Sequence, residues 1–260
     1  MLGSLFKKEP VLDEEVIEWL FHAYAWTFRN IGSGDSFGKT QLIEPSNRFF
    51  PGRETSEQGM AGLIFDQVKA YAGVSDWPCQ LINRHAYDEE QWPAVSIHDA
   101  LAGGRPLLIL YEPLQARTPE VMIANYAYIL AYHLVDLAQE PLPCEQEQWT
   151  CLLELIGVYL GFGVMFVNTA SPERGGGCGR CWSPLMERQG QLSENEVSYA
   201  LAIFCALKNI PAKQVTPLLK SYQRGFFKRA LNDVLARQDR MEMMQGFLQA
   251  PASTGRLNKD

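Results

Sequence analysis

Side chains able to serve as metal ligand, acid, base or nucleophile gather at seven positions: Tyr132, His133, Asp136, Cys151, Glu154, Cys178 and Cys181. His133 and Asp136 lie three residues apart, so a helix through them carries an imidazole and a carboxylate on one face. Glu154 follows Cys151 by one helical turn on the next apolar run. Imidazole, carboxylate and thiolate are the usual ligands of zinc, so His133, Asp136 and Glu154, with Cys151, form one potential metal set. The plainer reading is stronger: His133 hydrogen-bonds Asp136 or Glu154 inside a helix interface, as buried polar groups generally do. A carboxylate beside the imidazole would favour its charged form.

Cys178 and Cys181 form a single Cys-Gly-Arg-Cys behind three glycines. The spacing suits half of a zinc knuckle or a redox pair. A structural zinc needs four ligands, and no second CxxC or HxxxH follows. A redox pair normally opens a helix that lowers its thiol pKa, whereas Trp182-Ser-Pro after Cys181 reads as a turn. The two thiols are therefore read as incidental to a flexible loop, with a metal half-site and a redox function as the alternatives. His22 reads as a core or boundary residue of the first helix. His85 and His98 lie near strand candidates with nothing to fix their register.

These residues belong to a chain of globular composition: 260 residues, 47% hydrophobic and 20% charged. The net charge of −7 argues against nucleic acid as a partner. Its most basic run, Lys220 to Arg229, reads as a solvated helix face. The N-terminal MLGSLFKKEPVLDEE lacks the apolar core of a secretory signal. Cys151 to Val167 is apolar but interrupted by Glu154, and shorter than the ~20 residues that cross a bilayer. It reads as a buried helix of a soluble, cytoplasmic protein, with no membrane partner.

Periodicity sets the elements. Ile17, Leu20, Phe21, Tyr24 and Phe28 mark a helix over Asp13–Asn30, and Met60, Leu63, Ile64, Val68 and Tyr71 a second over Glu57–Gly73. Leu107–Tyr111 is the best strand. Pro78–Ala86 and Ala94–His98 are further candidates, which predicts a sheet of three or slightly more strands. Thr118 and Pro119 read as the N-cap and first position of a helix running to about Gln139. A buried helix follows over Glu147–Thr169. Gly157 and Gly161 on one face should let the two helices approach closely. Ser193-Glu-Asn-Glu196 is a capping box opening a helix to about Lys208. Helices near 214–235 and 236–248 complete the chain, and the tail from Pro251 should be frayed.

Three stretches, LYEPLQARTPEVMIANYAYILAYHL, WTCLLELIGVYLGFGVMFVNTA and GQLSENEVSYALAIFCALK, together with EPSNRFFPG near residue 50, carry a resemblance. They resemble a bacterial family of zincin-type metallopeptidase-like proteins over about residues 45–255. In that family a short strand and a Pro-capped turn lead into a helix bearing His-Glu-x-x-His, and an acidic residue on the next helix completes the zinc site. The resemblance implies a zincin-like helix pair. It puts the first ligand at Tyr132, the base at His133, the second ligand at Asp136 and the third at Cys151, and none of these is the residue the chemistry needs.

The expectation is an α+β fold, predominantly helical. A small N-terminal sheet within about residues 1–115 precedes a zincin-like helix pair and a helical C-terminal region over about 118–248. It forms a single domain over 1–250, with a flexible tail at 251–260. The expected function is that of a catalytically inactive metallopeptidase-like module that binds an unknown protein or peptide and needs no cofactor. The alternative is a metal-dependent hydrolase, with zinc held by His133, Asp136 and Glu154. Zinc at Cys178 and Cys181, or a thiol-linked sensor there, is carried behind both.

Overall fold

The computed structural model describes residues 11–32, 34–145, 148–170, 188 and 191–249. It is predominantly helical, with one small two-stranded sheet. In chain order the elements are α1 (Glu14–Asn30), α2 (Gly34–Lys39), α3 (Glu57–Ala72), β1 (Cys79–Asn83), α4 (Ile97–Leu101), β2 (Leu107–Tyr111) and α5 (Pro119–Asp136). Then come α6 (Trp149–Gly157), a π-turn (Val158–Phe162), α7 (Gly163–Asn168), α8 (Glu194–Leu207), α9 (Ala212–Val215), α10 (Arg224–Ala236) and α11 (Gln238–Gln249).

Local chemistry explains most boundaries. Glu14 and Glu15 sit in the first turn of α1, where negative charge favours the helix dipole. Ser56 accepts a hydrogen bond from the Gly59 amide and starts α3. Gly73 ends it in the left-handed conformation (φ 75°), which lets the Val74 amide reach back to the Lys69 carbonyl. The capping box forms as read: the Ser193 hydroxyl accepts from the Glu196 amide, and the Glu196 carboxylate accepts from the Ser193 amide at 2.8 Å.

Other expectations are corrected. The sheet has two parallel strands, in register from Cys79 opposite Leu107 to Asn83 opposite Tyr111. Ala94–His98 is no strand, because Ser96 accepts from the Asp99 amide and turns the chain into α4. Thr118 makes no side-chain cap; its hydroxyl donates to the Gln115 carbonyl instead. The helix expected over 214–235 breaks at Thr216–Leu218, a 3-10 turn containing Pro217, and restarts at Arg224. His22 is exposed.

One contiguous cluster of buried apolar residues extends from Ile17 to Met244. Its axis is Trp149–Asn168, where every residue after the partly buried Trp149 is buried. Among the described residues this is the one helical stretch long and apolar enough to cross a membrane, and the fold encloses all of it but Trp149 at its start. α5 packs beside it, nearly as buried around its circumference, which explains why α5 is not amphipathic. α1 packs against α6, and α8 against α7 and the π-turn. The rod is not straight. Gly161 takes φ 100°, its carbonyl accepts the Ile43 amide at 2.9 Å, and an added Cβ would stand 2.1 Å from the Gln41 carbonyl oxygen. The Gly157 space is filled by the Phe166 ring. The two glycines thus admit residues 40–41 and an aromatic ring; neither serves the α5–α6 approach expected of them.

Candidate functional site

The candidate residues that lie within the described chain occupy the seam between α5 and α6. His133 sits in the last turn of α5, 5% exposed, with its ring edge-on to Trp77 at 6.5 Å and to Tyr132 at 5.0 Å. Neither of its ring nitrogens has a hydrogen-bond partner among the described residues. The bond to Asp136 or Glu154 expected for it does not form. Burial without a counter-charge pushes the imidazole pKa down to about 4, so the ring is neutral at pH 7. This reverses the expected charged form.

Tyr132 is half-buried, and its ring meets Trp149 across the seam at 5.5 Å and 69°. Loss of hydration raises its phenol pKa, with Asp136 adding to the rise. Asp136 is exposed at the C-terminal end of α5. Desolvation raises its carboxyl pKa and the His98 imidazole opposes the rise. His98 makes its polar contact to the Asp136 backbone carbonyl, at 3.2 Å. His85 instead meets Glu112 at 3.2 Å, so the two histidines do not face each other. Cys151 is buried and not part of a disulfide.

Glu154 turns away from this group. It is fully buried on α6; its Oε1 accepts from Arg188 Nε at 2.5 Å and its Oε2 from the Leu192 amide at 2.8 Å. Arg188 spends its other nitrogens on the Thr169 hydroxyl (2.6 Å) and the Phe166 carbonyl (3.4 Å), and its guanidinium lies 4.6 Å from the Phe166 ring centre. The pair is closed on all sides, with side-chain exposures of 4% and 0%. Arg188 is the residue that sequence reasoning missed. The available signal was Glu154 itself: a carboxylate on an all-apolar helix needs a cation.

The structure therefore does not bring His133, Asp136 and Glu154 into one donor set. Among the described residues no group of three or more His, Cys, Asp or Glu is arranged to hold a metal ion. The side chains at the seam do not fit zinc: a phenol, an imidazole walled in by Trp77 and Tyr132, an exposed carboxylate and a buried thiol offer no tetrahedral set. Cys178 and Cys181 lie outside the described residues. An open polar cleft of about 540 Å³ lies elsewhere, between α1 and the α10–α11 junction. In it Arg237 pairs with Glu14 and Asp233, and Arg240 pairs with Glu18.

Comparison with protein-family models, curated proteins and solved structures finds no match to this chain.

Proposed function

We propose that this chain is a binding or regulatory module, built on a metallopeptidase-like helix pair that has no hydrolytic chemistry. One observation carries the reading: the only carboxylate on the inner helix, Glu154, is saturated by Arg188 and the Leu192 amide, which leaves no base on that helix to activate a water. The imidazole one helix away is neutral but walled by aromatic rings, out of reach of a substrate. The hydrolase alternative needs Glu154 to leave Arg188, stranding a buried guanidinium. A cytoplasmic location fits the reading, with Trp149–Asn168 committed to the core.

The test is peptide hydrolysis by the purified full chain, with and without added zinc, using a mixed quenched-fluorescence peptide library. Turnover no greater than that of a heat-denatured control is the expected result. Zinc-dependent turnover that disappears in Glu154→Gln while the fold persists by circular dichroism would overturn the proposal.

A further inference from the structure

Between Glu196 and Asp233 the chain carries six cations, Lys208, Lys213, Lys220, Arg224, Lys228 and Arg229, and no acidic residue, although the whole chain stands at −7. Lys208 is used internally, donating to the Phe37 and Gly38 carbonyls. The others are exposed, and among the described residues none has a carboxylate partner. Glu194, which reaches this surface, accepts from the Tyr222 hydroxyl at 3.0 Å instead of from a cation.

α10 fixes the geometry. Phe227, Ala230, Leu231 and Val234 are buried, and α10 packs against α8, so its remaining faces look outward. Arg224, Lys228 and Leu235 fall at i, i+4 and i+11, one line along the helix. Arg224 Nε donates to the Leu219 carbonyl, drawing the guanidinium back toward Lys220. Leu235 is 54% exposed at the far end of the line. Like charges at i and i+4 repel, and among the described residues no carboxylate pairs with either.

We infer that the Lys220–Arg224–Lys228 stripe with Leu235 is a docking face for an extended acidic peptide segment that carries an apolar residue beyond its carboxylates. The inference rests on the module reading above and names the partner's chemistry. Arg224 and Lys228, one helical turn apart, are spaced ~6 Å along the axis, and Lys220 stands just before the turn that leads into the helix. Alternate side chains of an extended strand repeat every ~6.6 Å and share one face, so carboxylates at alternate positions meet successive cations. From Lys228 to Leu235 the helix rises ~10 Å, so the same-face strand position four residues on, at ~13 Å, passes Leu235 by ~3 Å, within the reach of a Leu side chain. A long polyanion is the poorer fit, because beyond this stripe it meets a chain of net negative charge.

The probe is a short fluorescein-labelled peptide with three Glu at alternate positions and a Leu four residues after the last of them, titrated with the full chain at low salt and read by anisotropy. Saturable binding should weaken by about tenfold in Lys220→Glu/Lys228→Glu, the loss of two exposed pairs plus the new repulsion. It should weaken less in Lys228→Gln, and stay within about twofold in the charge-matched double control Lys39→Glu/Arg105→Glu, at two exposed cations away from α10. Lack of saturable binding overturns the inference, as does an equal loss in the control. So does tighter binding of single-stranded DNA or of phosphatidylserine vesicles at the same stripe. Peptidase turnover by the same preparation would remove the module reading while the titration still decides the stripe.

Discussion

Glu154 and His133 lie on neighbouring core helices, both buried and both ionisable, and the fold treats them in opposite ways. Glu154 is given partners: Arg188, the Leu192 amide and the Phe166 ring beneath the guanidinium replace the water it lost. His133 gives up its charge, because the neighbouring Trp77 and Tyr132 rings supply no acceptor and no anion. Burying a charge costs several kcal/mol unless it is paired, and a group whose pKa lies near neutrality can escape that cost by deprotonating. A carboxylate at pH 7 has no such cheap exit, so its neighbourhood must be built around it. The contrast separates a group that organises its surroundings from one that the surroundings merely tolerate.

The sharpest way to break the contrast is to remove one member of the ion pair. Glu154→Gln leaves Arg188 buried without its anion and should cost about 3–5 kcal/mol in urea unfolding. Glu154→Gln/Arg188→Met should recover a large part of that loss, since the uncompensated charge is then gone. A single-variant cost below ~1 kcal/mol would mean that Glu154 is no more demanding than a surface carboxylate.

His133 makes its prediction through pH. Unfolded, the imidazole takes up a proton near its ordinary value of 6.5; folded, it resists until about 4. Its contribution to stability is thus complete above pH 6.5, shrinks as the pH falls toward 4, and changes no further below that. The full span amounts to about 3 kcal/mol. In parallel unfolding series, His133→Leu should lose this slope relative to the parent while other acid-sensitive groups keep theirs. At pH 7.5 the same variant should lie within about 1 kcal/mol of the parent, because no hydrogen bond is broken. Identical slopes in the two proteins would show that the imidazole finds an acceptor.

The smallest effect belongs to Asp136. Its neighbour His98 uses the backbone carbonyl, which Asp136→Asn leaves intact. A change within about 0.5 kcal/mol is expected. A larger loss would show that the carboxylate takes part in a site.

What the sequence allowed to be read follows the range of the interactions involved. Ser193 and Glu196 decide a helix start within four residues, and the capping box was legible for that reason. Leu107–Tyr111 was equally plain, being a short apolar run behind a Gly-Gly-Arg-Pro turn. Ala94–His98 misled because alternating apolar residues resemble a strand, while one hydroxyl, that of Ser96, was enough to start a helix. Glu154 was picked out correctly as unusual and given the wrong neighbours: Arg188 lies 34 residues later, and no local pattern links the two. The isolation of His133 was less legible still. It depends on Trp77, far upstream, and on the absence of any acceptor, which spacing along one helix does not reveal.

The rod Trp149–Asn168, enclosed from Thr150 onward, has a consequence for how the chain is made. Its neighbours α1 and α5 precede it in the sequence, but α8, which covers α7 and the π-turn, follows it. At ordinary synthesis speeds of 5–20 residues per second, roughly 2–8 s separate the completion of the rod from that of α8. Throughout that interval one flank of the most apolar segment among the described residues lacks the cover that α8 supplies. Nascent chains that stall before Glu194 should therefore be the ones that chaperones hold and that aggregate when chaperones are scarce.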